Sequence, residues 1–291
     1  MRFSARTFSY LAAGLLVLIS LGIWSAVFAA TPKGLLTFAV LDIGQGDALY
    51  IESPTGAQVL IDGGPNGSVL RELPRVMQFA DRSLDAVIAT HQDADHIAGL
   101  VDILKRYDVG AFIEPGLKKD TVTAQALEDE VDAGKIPRVR ARRGMWLDLG
   151  GGARLDILSP DFDVSVLKPD EGNEGCAVSR LTYGNVSALL MCDAPMEVED
   201  HLLSIEAAAD MKSTVLKVGH HGSAGSMGNA FLDEVAPRVA LISVGVDNPY
   251  GHPAGAALAR LQSHGIPVLR TDQVGAIILR SDGTSFARIS K

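Results

Sequence analysis

From Lys33 onward the chain is a succession of short apolar runs closed by glycine or proline turns, and this pattern constrains the fold more than any other feature. The runs "LLTFAVLDI", "DALYIESP" and "QVLIDGG" are separated by Gly-Gln-Gly, Pro-Thr-Gly and Gly-Gly-Pro, which predicts a β-meander. A helix is expected from about Val69 to Phe79, then "LDAVIAT" as a short buried strand, then a helix over "GLVDILKRYD". The alternation continues. Strands are expected at "AFIEPG", "LDILSP", "AVSRLTYG", "SALLMCDA", "STVLKVGHHGS", "VALISVG" and "PVLRTD", and helices at "PMEVEDHLLSIEAA", "AFLDEVA" and "GAALARLQSHG". No repeat, low-complexity stretch or linker interrupts it. The simplest packing is one α/β domain over residues 33–291, with two sheets of mixed pairing covered by helices.

The first thirty residues fall outside this pattern. Arg2 and Arg6 precede "YLAAGLLVLISLGIWSAVFAA", twenty-one residues without a charge. A basic start, a leucine-rich middle and small residues at Ala29 and Ala30 fit a secretory signal peptide, and the length equally fits a membrane anchor through residues 8–30. In either case everything after Thr31 is expected on the outer face of the cytoplasmic membrane or beyond it. A net charge of -9 argues against a protein that coats nucleic-acid phosphates non-specifically, so recognition of phosphate must be local. Two cysteines, Cys176 and Cys192, are too few for a disulfide scaffold or a structural zinc cluster, although an exported domain could carry one bridge.

The stretch "THQDADHIAGL" places His91, Asp93, Asp95 and His96 within six residues, directly after an expected strand. Neutral imidazole and carboxylate are ligands that zinc and manganese accept, and a loop at a strand end can aim several of them into one cleft. The competing explanation is a solvated loop in which Asp95 caps the following helix.

The surrounding residues weigh against that explanation. "THQDADHIAGL" resembles the signature loop of the metallo-β-lactamase fold superfamily, in the variant with Asp at the second ligand position. Together with "VLDIGQGDA", "LIDGG", "LTYGNVSALL", "VLKVGHHGS", "ISVGVDNPYGHP" and "VLRTDQVG", it is similar to the extracellular domain of ComEC-type competence proteins. The resemblance implies an αββα sandwich of two mixed β-sheets flanked by helices. It also implies metal ligands at His91, Asp93, Asp95, His96, Asp193 and His220, two divalent ions (Zn or Mn), and catalytic duties for Asp95, His221 and His252. Asp193 and His220 each end an apolar run, "SALLMC" and "TVLKVG", where side chains can project from a sheet edge.

Two departures stand out. No histidine lies between His96 and His201, so one metal is short of a ligand that many members supply there; Asn173, Asp47 or water could replace it. Cys176 stands where the competence-like pattern has Ser, and Cys192 where Gly usually precedes the Asp. With no neighbouring histidine, neither cysteine has the setting of a nucleophile, and both read as small buried residues. Asp93 also changes the charge of the site. Two dications and three carboxylates (Asp93, Asp95, Asp193) leave about +1, where a histidine at Asp93 would leave about +2. Such a centre accepts Mn²⁺ or Mg²⁺ more readily than a histidine-rich one, and its residual charge suits a phosphodiester anion.

Asp62 in "LIDGG" resembles the superfamily's buried Asp, which implies that it braces the ligand loop through hydrogen bonds. Gly44 and Gly46 read as turn residues, with Asp47 either in the turn or aimed toward the site. Arg138, Arg140, Arg142 and Arg143 alternate along an extended segment and read as a solvated face. The expectation is an exported metal-dependent phosphodiesterase or nuclease acting on DNA. The alternatives are a hydrolase of another ester, a thioester or a lactam, and a non-catalytic DNA-uptake module.

Overall fold

The computed structural model describes residues 5–30, 34–78, 81–168 and 171–289. It divides into two compact units, Met1–Lys33 and Gly34–Lys291. The first unit is helix α1 (Ala5–Ala30), exposed from Tyr10 to Trp24. No helix among the described residues is long and apolar enough to cross a membrane. Residues 1–4 of the expected signal or anchor lie outside the described residues.

The second unit opens with the expected meander, strands β1 (Leu36–Val40), β2 (Leu49–Glu52) and β3 (Gln58–Ile61), paired antiparallel in sequence order. The chain then turns parallel. Strand β4 (Ala86–Ile88) lies beside β3, helix α2 (Ala94–Leu104) crosses to β5 (Phe112–Glu114), and helix α3 (Val122–Ala133) crosses to β6 (Arg138–Arg140). Parallel neighbours need such crossovers, because a tight turn reverses the chain. The second sheet repeats the plan. Strands β7 (Trp146–Gly150), β8 (Ala153–Ile157), β9 (Ser179–Tyr183) and β10 (Val186–Leu190) are antiparallel. Helix α4 (Met196–Ile205), strand β11 (Val215–Lys217), helix α5 (Asn229–Val235), strand β12 (Val239–Ile242), helix α6 (Gly255–Ser263) and strand β13 (Val268–Arg270) then alternate, and their strands are parallel.

A closing hairpin, β14 (Ile277–Ser281) and β15 (Phe286–Ile289), returns to the first sheet and pairs β14 with β1. The orders are β15-β14-β1-β2-β3-β4-β5-β6 and β13-β12-β11-β10-β9-β8-β7.

Alternation along the strands sorts the core into three layers. Leu36, Phe38 and Val40 of β1 face Leu155, Leu181, Leu190 and Leu241 between the sheets. Ala39, Tyr50, Leu60 and Val87 meet Ile97, Leu100, Leu127 and Val131 of α2 and α3. On the other side Leu189, Leu216 and Ala240 meet Val198, Leu202, Phe231 and Leu261. This is the expected αββα sandwich of two mixed sheets.

The sequence expectations differ from the structure in three places. The helix expected over Val69–Phe79 is a single turn, Val69–Glu72, followed by a 3-10 turn at Leu73–Arg75, because Pro74 has no amide to continue the ladder; Phe79 lies outside the described residues. Helix α2 starts at Ala94 instead of Gly99, so Asp95 and His96 belong to its first turn. Helix α3, strand β7 and the closing hairpin were not anticipated. The stripe of α3 is thin, only Ala124, Leu127 and Val131 being buried, and its clearest signal is the Thr121 hydroxyl accepting from the amide of Ala124.

Candidate metal centre

The ligand loop leaves the end of β4 and is fixed by one buried carboxylate. Asp62, at the end of β3, accepts the Thr90 amide at 2.8 Å, the Thr90 hydroxyl at 2.7 Å and His96 Nδ1 at 2.8 Å. Thr90 Oγ1 in turn lies 3.0 Å from His91 Nδ1. The bracing expected of Asp62 is present, and with the Nδ1 atoms so engaged, both imidazoles turn Nε2 toward the cleft. Asp93 occupies the N-cap position of α2 without making a side-chain cap bond, so neither Asp93 nor Asp95 is spent on helix capping.

The second sheet supplies the opposite wall. Asp193 follows β10, and His220 and His221 follow β11 in a turn with φ of 47° and 53°. Asp95, His96, Asp193 and His221 converge, with one ligand atom from each lying within 4.8 Å of the others. His96 Nε2 is 3.3 Å from Asp193 Oδ1, and His221 Nε2 is 3.4 Å from Asp95 Oδ2 and 3.6 Å from Asp193 Oδ2. His221 Nδ1 donates to the carbonyl of Ser243 at 3.0 Å, which leaves Nε2 as the free donor atom of the neutral ring.

His220 sits at the mouth with its side chain 36 % exposed, Nε2 being 3.7 Å from Asp193 Oδ2 and its ring 5.5 Å from that of His252. The structure therefore brings His91, Asp93, Asp95, His96, Asp193, His220, His221 and His252 to one cleft. His221, expected in a catalytic role, stands within the four-residue cluster, while His220, expected as a ligand, sits at its mouth.

The unpartnered atoms of the cleft fit a divalent ion. Nε2 of His91, His96 and His221 and Oδ1 of Asp193 are buried with no hydrogen-bond partner, a costly condition that a cation would relieve. Electrostatics agree. Burial opposes charge on Asp193, yet His221 and His96 hold its carboxyl well below the usual range. Burial likewise opposes charge on His221, but Asp193, Asp47 and Asp95 push it up to about 9. A field that favours a proton on these rings also favours a cation in its place. His252 shifts the other way, lowered by burial and then by His220 and His221.

The His91 side is less complete. His91 Nε2 lies 3.5 Å from Asp93 Oδ2, and the Lys119 ammonium is paired with Asp93 Oδ1. Lys119 is held by its own amide, which donates to Gln92 Oε1 at 2.7 Å. Burial opposes ionisation of Asp93, while His91 and Lys119 keep its carboxyl below the ordinary range.

Sequence reasoning missed Lys119, which lies in a polar segment without a motif. It also missed Lys217, fully buried within β11 and paired with Asp47 at 2.7 Å. A lysine inside the apolar run "VLKVG" was the available signal. Asp47, left between turn and site, is buried, with Oδ1 3.5 Å from His221 Nδ1.

Cys176 and Cys192 are both buried, and they form a disulfide one residue before Asp193. Closing a loop of that size contributes about 3 kcal/mol, and it pins Cys192, whose φ of 42° is otherwise unfavourable. Arg138, Arg140, Arg142 and Arg143 pair with Asp132, Glu114, Asp163 and Glu206, so the basic run is a neutralised surface.

The sequence profile of the Metallo-beta-lactamase superfamily matches residues 41–246. ComE operon protein 3 of Bacillus subtilis (strain 168) is 33% identical over 262 residues, 83% of this chain and 32% of that protein. Competence protein ComA of Neisseria gonorrhoeae is 28% identical, over 90% of this chain and 34% of its own length. The chain thus spans about a third of these relatives. Exodeoxyribonuclease WalJ of Streptococcus pneumoniae is 26% identical over 100 residues, 34% of this chain and 35% of that one. Among solved structures, the metallo hydrolase Igni18 of Ignicoccus hospitalis KIN4/I superimposes with a TM-score of 0.53 at 16% identity, covering 83% of this chain and 98% of that one.

Proposed function

The chain belongs to the metallo-beta-lactamase superfamily, and from that premise we propose that it is an exported, metal-dependent phosphodiesterase that cuts DNA. The observation that carries this reading is the convergence of Asp95, His96, Asp193 and His221 with their inward atoms unpartnered. These four would hold one divalent ion; His91, Asp93 and Asp193 would offer a poorer site to a second. Such ions supply Lewis acidity toward a phosphoryl oxygen and lower the pKa of an attacking water.

The chain's own groups do the rest. Asp62 and the Ser243 carbonyl orient His96 and His221. His252 lines the same cleft with its Nδ1 buried and unpartnered. Asn248 fixes it, accepting the His252 amide at 3.0 Å and donating to its carbonyl at 2.7 Å. With its backbone held in this way, the ring can hydrogen-bond a phosphate oxygen or the departing oxygen. Carboxylate-rich ligation favours Mn²⁺ more than a histidine-rich centre does, although zinc competes wherever it is available.

The similarity to competence proteins and to an exodeoxyribonuclease supports DNA as the substrate. The disulfide and the uncharged stretch Tyr10–Ala30 support an oxidising, extracytoplasmic location.

The test uses the full chain in detergent with bis(p-nitrophenyl) phosphate, DNA and nitrocefin, each with Mn²⁺, with Zn²⁺ and after chelation. Turnover of both phosphodiesters, abolished by chelation, is expected. Hydrolysis of nitrocefin alone would move the protein to lactam chemistry, and DNA binding without any turnover would make it an accessory module.

A further inference from the structure

Tyr250 walls the cleft on its solvent side. The cavity, about 130 Å³, is lined by Gln45, the carboxylates of Asp93, Asp95 and Asp193, His220, His221, Tyr250 and His252. Tyr250 is 66 % exposed, so packing does not hold it there. Its ring lies parallel to that of His252, with centroids 6.0 Å apart and planes 19° apart. His252 leads on through His220 to Asp193.

The loop beneath is cross-tied. Asn248 ties Gly245 to His252 through its side-chain amide, and Tyr250 stands inside that closed turn. A flat aromatic face beside the proposed metal centre, close to parallel with an imidazole ring and open to solvent, has the form of a base-stacking platform.

We infer that Tyr250 is the base platform of this site: a nucleobase next to the scissile phosphate stacks on its ring while the phosphate lies against the Asp95, His96, Asp193 and His221 cluster. The inference rests on the phosphodiesterase reading above and names its substrate class. Bases in a duplex are already stacked on their neighbours and paired, so only an unpaired base can lie on the ring. The substrate is therefore single-stranded nucleic acid or an unpaired end. Stacking tolerates any base, because every base has a π-face, so selection is for the presence of a base and not for its identity.

The test compares cleavage by the full chain of a single-stranded DNA oligonucleotide and of an abasic oligomer of the same length. The wild-type protein should favour the base-bearing strand by about 5- to 150-fold, carried mostly in KM. Tyr250→Ala and Tyr250→Leu should remove that preference, with metal content as wild type, and Tyr250→Phe should keep it. Leu retains bulk without the aromatic face and so separates stacking from filling space.

Equal cleavage of the two oligomers by the wild type, or an undiminished preference in Tyr250→Ala, would overturn the platform and leave the phosphodiesterase standing. Failure of the wild type to cut either oligomer or bis(p-nitrophenyl) phosphate would overturn both.

Discussion

The two flanks of the cleft share one loop and the Asp193 carboxylate, yet they are built to different standards. On one flank His96 and His221 each have Nδ1 engaged, by Asp62 and by the Ser243 carbonyl, and each offers an unpartnered Nε2 toward Asp95 and Asp193. On the other, His91 is likewise oriented by Thr90 and offers an unpartnered Nε2, but its neighbour Asp93 is already paired with a lysine. A site whose ligands are oriented in advance binds its ion without first breaking other contacts. The difference teaches that the two ions of the proposed centre would not be equivalent: the first would bind tightly, the second weakly and in competition with an ammonium.

The largest effect that would break this contrast is expected at His221. His221→Ala should weaken the tight site by more than about 100-fold, exceeding what the loss of an outer partner costs, and should abolish phosphodiester turnover. Titration calorimetry and elemental analysis would show it. His220→Ala, at the mouth, should keep that ion and lose rate; the reverse result would exchange the roles of the two histidines. Next comes Asp62→Asn, which keeps the shape but weakens the acceptor for His96 Nδ1 and Thr90. Metal affinity should fall by about 10- to 100-fold, concentrated on the tight flank. A loss spread equally over both ions would mean that Asp62 acts on the whole loop and not through His96.

The flanks also differ in how far they can be read from sequence. His91, Asp93, Asp95 and His96 are legible because one loop holds them in six residues, whereas Asp62 is selected through the resemblance of "LIDGG" to the family. Asp193, His220 and His252 are dispersed over the second sheet, and no spacing joins them; the resemblance to a family selects them, and only folding brings them to one cleft. Which of His220 and His221 faces inward is set by two residues with positive φ, a backbone property that the pair "HH" does not encode.

The strands were legible because apolar runs and glycine turns mark them locally. The closing hairpin was not, since β14 is held by its pairing with β1 from the far end of the chain. Helix α2 was placed late because its first turn is made of the ligands themselves, polar residues that give no apolar period.

The smallest effect is the sharpest probe of the contrast, and it concerns Lys119. Its ammonium contacts Asp93 and nothing in the four-residue cluster, so it should act on the weak flank alone. A partly exposed ion pair is worth little, up to about 1 kcal/mol, but a cation seeking Asp93 must displace it. Lys119→Met should therefore tighten the second ion by about 3- to 5-fold and leave the first unchanged, which a two-site metal titration resolves. Lys119→Arg keeps the charge and should bind the second ion as the wild type does, so a rise in Met without one in Arg isolates the ammonium as the competitor. If Lys119→Met weakens the second ion instead, the lysine orients Asp93 for the metal and does not contend with it. The inequality of the flanks would then come only from the number of ligands on each side.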